Sequence, residues 1–241
     1  MARLARHVRV SAASPWIERW ANLIAPGGSV LDVAAGSGRH ALWLAARGHR
    51  VTAVDRDAPA MAALAPPIET VAADLEGGPW PFAGRSFDAV VVTNYLWRPL
   101  LPLLVAALAP GGVLLYETFA VGNETVGRPK RADFLLAHGE LLAVCAGLRI
   151  VAYEDGFLAD PERFVQRIAA ARERSGEPAA RYCLESGRDA LHEPVGVGKE
   201  AVFVGDDAQT RRGDQKFTVG EKKIGSLRPA DRLVADRKRL V

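Results

Sequence analysis

Apolar residues in this chain come in short unbroken runs, punctuated by glycine and proline, with helical periodicity between the runs. Val30–Val33, Arg50–Val54, Thr70–Ala73, Phe87–Thr93 and Val113–Thr118 read as five strands. The fourth is nearly continuous in apolar residues, as expected of a strand covered on both faces. Between them, Arg39–Arg47, Pro59–Leu64 and Leu100–Leu108 read as helices, ended by Gly48, by Pro66-Pro67 and by Pro110-Gly111-Gly112. Ser14-Pro15 has the form of an N-cap followed by a first-turn proline. Trp16, Ile17, Trp20, Leu23 and Ile24 then share one helical face, ended by Pro26-Gly27-Gly28. A helix over Phe134–Ala146 and strands over Leu148–Tyr153 and Phe164–Ala170 complete the pattern.

Alternating strands and helices predict an α/β fold: a doubly wound, Rossmann-like, mostly parallel seven-stranded sheet with right-handed crossovers. Only Glu154–Glu162, containing Gly156 and Pro161, joins the last two strands. That connection is too short for a crossover, so the last strand is expected to run antiparallel. The pattern changes near Tyr182. From Leu184 onward, 22 of 58 residues are charged, with both signs interleaved and few large apolar side chains. The expected organisation is therefore one domain over 1–183 and a charged, disordered tail over 184–241. Ala201–Val204 and Lys216–Val219 could pair in that tail, but a lone hairpin is marginal in water.

Composition narrows the function classes. With 31 basic and 28 acidic residues the net charge is +3, too balanced to point to nucleic acid. Cys145 and Cys183 are the only cysteines and have no metal-like neighbours, which argues against a disulfide scaffold or a zinc site. The longest apolar run, Leu100–Leu108, is too short to span a bilayer. Arg3, Arg6 and Arg9 make a basic N-terminus that reads as a frayed end in preference to a transit peptide. A cytoplasmic protein with no membrane or nucleic-acid partner is the expectation, with the oligomeric state left open.

The chemistry concentrates where the first strand meets its helix. Gly36-Ser37-Gly38-Arg39-His40-Ala41 matches the dinucleotide pattern G-x-G-x-x-A, and the second strand ends on Asp55, where a ribose-binding acid belongs. Asp32 inside the first strand decides between two cofactors. A carboxylate there repels a pyrophosphate but suits a cationic donor that carries an ammonium and a sulfonium, such as S-adenosylmethionine.

From these residues the chain resembles the class I S-adenosylmethionine-dependent methyltransferases. The matching positions are Asp32-x-Ala34-x-Gly36-x-Gly38, Asp55, Asp74 after the third strand, Phe87-Asp88-Ala89-Val90 and Leu108-Ala109-Pro110-Gly111-Gly112. They occur in the family's order over roughly residues 14–183. Gly38-Arg39-His40 and Glu117-Thr118-Phe119 with Gly122-Asn123-Glu124 make it most similar to small stand-alone bacterial enzymes related to the tellurite-resistance methyltransferases. Ala34 departs from the family's usual glycine, a change that a negative φ would accommodate.

The resemblance implies residue roles. Gly36 and Gly38 would admit the donor's methionine and ribose parts, and Asp32 would hold its ammonium. Asp55 would accept both ribose hydroxyls, and Asp74 the adenine amine, flanked by the Ala73 and Leu75 backbone. Asn94 and Tyr95 would face the methyl group and the acceptor, with Glu117 as a further catalytic candidate. Other possible bases are His40, His138 and Glu124, of which His40 reads as an exposed first-turn residue. Asp88, at the start of its strand, reads as structural. Arg128 and Lys130 in the Val121–Arg131 loop would suit an anionic acceptor or simply be solvated. Trp16 and Trp20 either fold over the donor or seal the sheet. The implied activity is methyl transfer to a small molecule with no metal. A nicotinamide-dependent oxidoreductase and a non-catalytic S-adenosylmethionine-binding protein are the alternatives.

Overall fold

A computed structural model describes residues 12–174 together with 197–198 and 201–202. The elements are α1 (Pro15–Trp20), a 3-10 turn (Ala21–Leu23), β1 (Ser29–Val33), α2 (Arg39–Ala45), β2 (Arg50–Asp55), α3 (Ala58–Ala63), β3 (Glu69–Ala72) and β4 (Phe87–Thr93). After a 3-10 turn at Arg98–Leu100 come α4 (Leu101–Ala106), β5 (Leu108–Phe119), α5 (Asn123–Val126), a 3-10 turn (Ala132–Phe134) and α6 (Glu140–Val144). Two long strands, β6 (Arg149–Ala159) and β7 (Glu162–Ala171), and two short ones, β8 (Val197–Gly198) and β9 (Ala201–Val202), follow.

The sheet order is β3-β2-β1-β4-β5-β7-β6-β8, with β9 also pairing to β6. β3, β2, β1, β4 and β5 are parallel neighbours, and β7 runs antiparallel to both β5 and β6. β1–β7 form the expected seven-stranded, mostly parallel sheet with an antiparallel last strand, and β8 and β9 add to its outer edge. Side chains alternate across it into two apolar layers. Leu31, Val33, Val90 and Val92 face Leu101 and Leu104 of α4 and Leu141 of α6. Val30, Ala89, Val91 and Leu115 face Trp16 and Ile17 of α1, Ala41 and Leu44 of α2 and Met61 of α3.

Local chemistry explains the element starts. The Ser14 hydroxyl accepts the Trp16 amide at the head of α1, and Asp57 caps α3 through the Ala60 amide. Asp88 is structural, as expected: its carboxylate accepts the Ser29 amide and hydroxyl at 2.7 and 2.8 Å, tying β4 to the start of β1.

Three expectations need correction. The helix over Phe134–Ala146 is confined to Glu140–Val144. Gly139 is at φ +74°, and Leu136 is drawn into a β-bridge with Ala120. Arg98 meanwhile donates to the Asp133 and Leu135 carbonyls, so the carbonyls that a helix would need are taken. Second, β6 runs on to Ala159, because Glu154–Ala159 pairs with β7 residue by residue. The supposed loop is only Asp160-Pro161. Third, Pro110-Gly111-Gly112 lies within the irregular first part of β5, not before it. The Gly111 amide donates to the Arg172 carbonyl, and the pairing with β4 shifts between Phe87 and Ala89.

Of the segment expected as a tail, only β8 and β9 are described. Val197 and Gly198 pair with Leu158 and Phe157, and Ala201 and Val202 with Glu154 and Tyr153, in one common register along the outer edge of β6. The Lys216–Val219 segment lies outside the described residues.

Candidate functional site at the carboxyl ends of the strands

The parallel strands β1, β2, β3 and β4 all end on one edge of the sheet, where ligands bind in open α/β folds. A cleft of about 160 Å³ opens there. Its wall includes Ala34, Asp55, Ala73, Asp74, Leu75 and Tyr95, all singled out from the sequence. Arg56 and Glu76 line it too and were missed; their only signal was adjacency to Asp55 and Asp74.

Asp55 closes β2. Its Oδ2 accepts the Gly36 amide at 2.8 Å and its Oδ1 the Asp57 amide at 2.9 Å. The carboxylate is held in one orientation by two backbone donors, and each oxygen keeps a lone pair for a ligand hydroxyl. Asp74 is set similarly: Oδ1 accepts the Glu76 amide at 3.0 Å. The Ala73 amide donates to the Asp55 carbonyl, which holds the chain after β3 against β2.

Asp32 lies on β1, buried to 1% exposure. Its Oδ2 has no hydrogen-bond partner in the protein. Burial pushes the carboxyl up to about 7, opposed by the Ala41 backbone and the Arg39 charge, with a small further push from Asp55. A buried carboxylate with one free oxygen is an unmet demand for a cation or a donor.

The turn after β1 departs from expectation at Ala34. Its φ is +54°, the left-handed region, so the negative φ that would suit an alanine is not adopted. Gly36 is also left-handed at φ +56°, with open space where a Cβ would project. Gly38 is different. A Cβ there would meet the Leu64 side chain at 2.5 Å, so this glycine serves the packing of α2 against the end of α3.

Past β4, Asn94 is exposed and left-handed at φ +54°, and its amide donates to the Glu117 carbonyl. The next side chain, Tyr95, turns into the cleft, and its hydroxyl is buried without a partner. Burial, then the negative charges of Glu76 and Asp74, push the phenol up to about 12, so it is a neutral donor. The Tyr116 hydroxyl fixes this turn by donating to the Tyr95 carbonyl at 2.8 Å.

Glu117 is not on the cleft wall. It is 1% exposed, accepts the Ser14 hydroxyl at 3.0 Å and pairs with Arg167 at 3.4 Å and Arg163 at 3.7 Å. Arg167 also pairs with Glu154 and lies over the Trp16 ring. His40, expected at the surface, is buried to 1% exposure because α2 turns its first residues onto the sheet. Burial, then the charge of Arg39, lower its pKa to about 4, so the ring is neutral.

The remaining candidates lie elsewhere. His138 pairs with Asp155 at 3.2 Å, Glu124 caps its own turn at the Gly122 amide, and Arg128 and Lys130 are exposed. Trp16 packs into the core, its indole donating to the Ile168 carbonyl at 3.3 Å, so it seals the sheet. Among the described residues no cluster of side chains could hold a metal ion, and no helix is long and apolar enough to cross a membrane.

Comparison with known proteins bears on the fold. Residues 30–112 match the family described as "Methyltransferase domain". No curated protein sequence matches the chain. Among solved structures the chain is similar to TehB from Haemophilus influenzae, at 22% identity and a TM-score of 0.54, over 68% of this chain and 63% of that one. An S-adenosylmethionine-dependent methyltransferase from Methanosarcina mazei gives 17% identity and a TM-score of 0.53, over 68% of this chain and all of the other. The [4+2]-cyclase SpnF gives 18% and 0.51 over 66% and 78%, so this fold also carries a different reaction. Residues 30–112 match a methyltransferase-domain family, and the sheet that contains them has the fold of the S-adenosylmethionine-dependent methyltransferases.

Proposed function

We propose that this chain transfers a methyl group from S-adenosylmethionine to a small-molecule acceptor by in-line displacement. The observation that carries the reading is Asp32: a buried carboxylate with a free oxygen, on the strand beside a cleft whose wall carries three further carboxylates, Asp55, Asp74 and Glu76. That set matches a ligand with an ammonium at one end and sugar and base donors at the other. It mismatches a pyrophosphate, which would meet Asp32 and Asp55 as like charges.

Each residue then has a task. Asp32 holds the ammonium, and the arriving cation draws the carboxyl back to its ionised form. Asp55, already oriented by Gly36 and Asp57, accepts the ribose hydroxyls. Asp74 accepts the adenine amine, with Ala73 and Leu75 on either side. Gly36 leaves room for the donor, and Ala34 forms the cleft floor beside it. Tyr95 and Asn94 border the reacting end, where the neutral Tyr95 phenol donates a hydrogen bond and keeps water out. S-adenosylmethionine supplies a methyl carbon already activated by its sulfonium. The protein's work is therefore alignment and exclusion of solvent. Glu117, paired with two arginines and Ser14, is assigned to holding the site together and not to taking a proton.

The test is turnover. Release of S-adenosylhomocysteine is measured against a panel of thiols, amines, phenols and oxyanions, with Asp55→Ala as the control. Acceptor-dependent release by the wild type alone supports the proposal. Tight donor binding with no release on any acceptor would favour a binding protein instead.

A further inference from the structure

On the face of the sheet that carries Asp32, a chain of buried polar contacts joins four elements. The Ser14 amide donates to His40 Nε2 at 3.1 Å, and the Ser14 hydroxyl donates to Glu117 Oε1 at 3.0 Å. Because a backbone N–H can only donate, Nε2 must be the unprotonated ring nitrogen. The proton is then on Nδ1, which faces Thr93 Oγ1 at 3.3 Å. Arg39 reaches back to the Ala12 carbonyl at 3.4 Å. Residues 12–14 are thereby fixed directly to α2 and β5, and through His40 to Thr93 of β4.

This network adjoins Asp32. Register sets Asp32 beside Val91, with Thr93 two residues further along the same face and Glu117 opposite Thr93 on β5. The first turn of α2 acts on Asp32 through the Ala41 backbone and the Arg39 charge, and the same turn carries His40. We infer that His40 is a positioning residue: by accepting the Ser14 amide it fixes Ala12–Ser14 as the wall at the ammonium end of the donor site. Glu117 and Thr93 brace that wall from β5 and β4. The inference rests on the donor reading above, and extends it to residues that touch no ligand.

A wall at one end of the site has a specific consequence. It matters for ligands that carry the amino-acid end and is irrelevant to those that lack it. The experiment compares binding of S-adenosylhomocysteine and of adenosine to the wild type, His40→Leu, His40→Gln, Ser14→Ala and Ser14→Thr, with melting curves for each. Expected is a loss of about five- to tenfold for S-adenosylhomocysteine in His40→Leu and Ser14→Ala, with adenosine unchanged within twofold. His40→Gln, which retains an acceptor, and Ser14→Thr, which retains the hydroxyl, recover most of the loss. Equal losses for both ligands, or none for either, overturn the inference and leave the donor site intact. Failure of the wild type to bind S-adenosylhomocysteine overturns the donor reading and the inference with it. Ser14→Ala keeps the backbone amide that His40 accepts and tests the brace to Glu117. Should His40→Leu not fold, His40→Asn, whose shorter side chain does not reach that amide, decides the role of His40.

Discussion

Asp55 at the end of β2 accepts the Gly36 amide at 2.8 Å, so the acid proposed to bind ribose also holds the turn that would admit the donor. One side chain thus ties the second strand to the loop after the first. Asp55→Ala removes both the ligand contact and this tether. Donor affinity should fall by about 1.5–3 kcal/mol, since charge-assisted hydrogen bonds are lost, and stability by about 1–2 kcal/mol. Titration calorimetry and urea unfolding measure the two effects. Unchanged affinity would remove Asp55 from the site.

Asp32 should oppose stability. Its folded pKa, about 7, lies above that of an unfolded aspartate. The folded state therefore binds more protons between about pH 4 and 7, and stability falls as pH rises through that window. Asp32→Asn removes the penalty. It should raise stability on the order of 2–4 kcal/mol at pH 8, leave it nearly unchanged at pH 4, and abolish donor binding. Melting curves at the two pH values check this. A destabilised variant at pH 8 would mean that the carboxylate has a partner in the folded protein.

Ala34 sits at φ +54°, a region that costs an L-residue about 1–2 kcal/mol and costs glycine little. Ala34→Gly should be stabilising by about 0.5–1 kcal/mol once the extra freedom of the unfolded chain is subtracted. The melting temperature should rise by a few degrees at most. A fall in melting temperature would show that the alanine methyl packs well enough to outweigh the strain.

β8 and β9 cover the outer edge of β6 over Tyr153–Leu158. A chain ending at Cys183 lacks them and leaves an eleven-residue edge strand open. Open edges invite pairing with another chain. Ultracentrifugation should detect concentration-dependent association of the short form and not of the full chain. Equal behaviour would show that the two short strands do not protect β6.

The central strands were legible because β1, β2 and β4 are covered on both faces and so are mostly apolar, interrupted by Asp32 in β1 and Thr52 in β2, with Ala89–Val92 continuous in β4. The place of two residues on the cleft wall was legible for a related reason. Asp55 ends β2 and Asp74 follows the end of β3 by two residues, so backbone geometry sets their place. Glu117 was not, because its counter-ions Arg163 and Arg167 come from a strand about fifty residues away in sequence. His40 misled for the same kind of reason. A histidine in a helix's first turn is buried or exposed according to what covers it, and Ser14 from α1 does the covering. The short α6 follows from Arg98 claiming the Asp133 and Leu135 carbonyls, a competition that helical periodicity cannot register. Ala34 shows the limit in miniature, since the sequence names the residue but not its φ.

Calorimetric titration of the wild type with S-adenosylmethionine and S-adenosylhomocysteine, beside NAD and NADH, tests the central claim most directly. The account predicts micromolar binding of the two sulfur nucleosides only, strengthening as pH rises toward 7 and level above it, as Asp32 ionises. Binding of NADH, or an affinity for S-adenosylmethionine that falls as pH rises through that range, would contradict it.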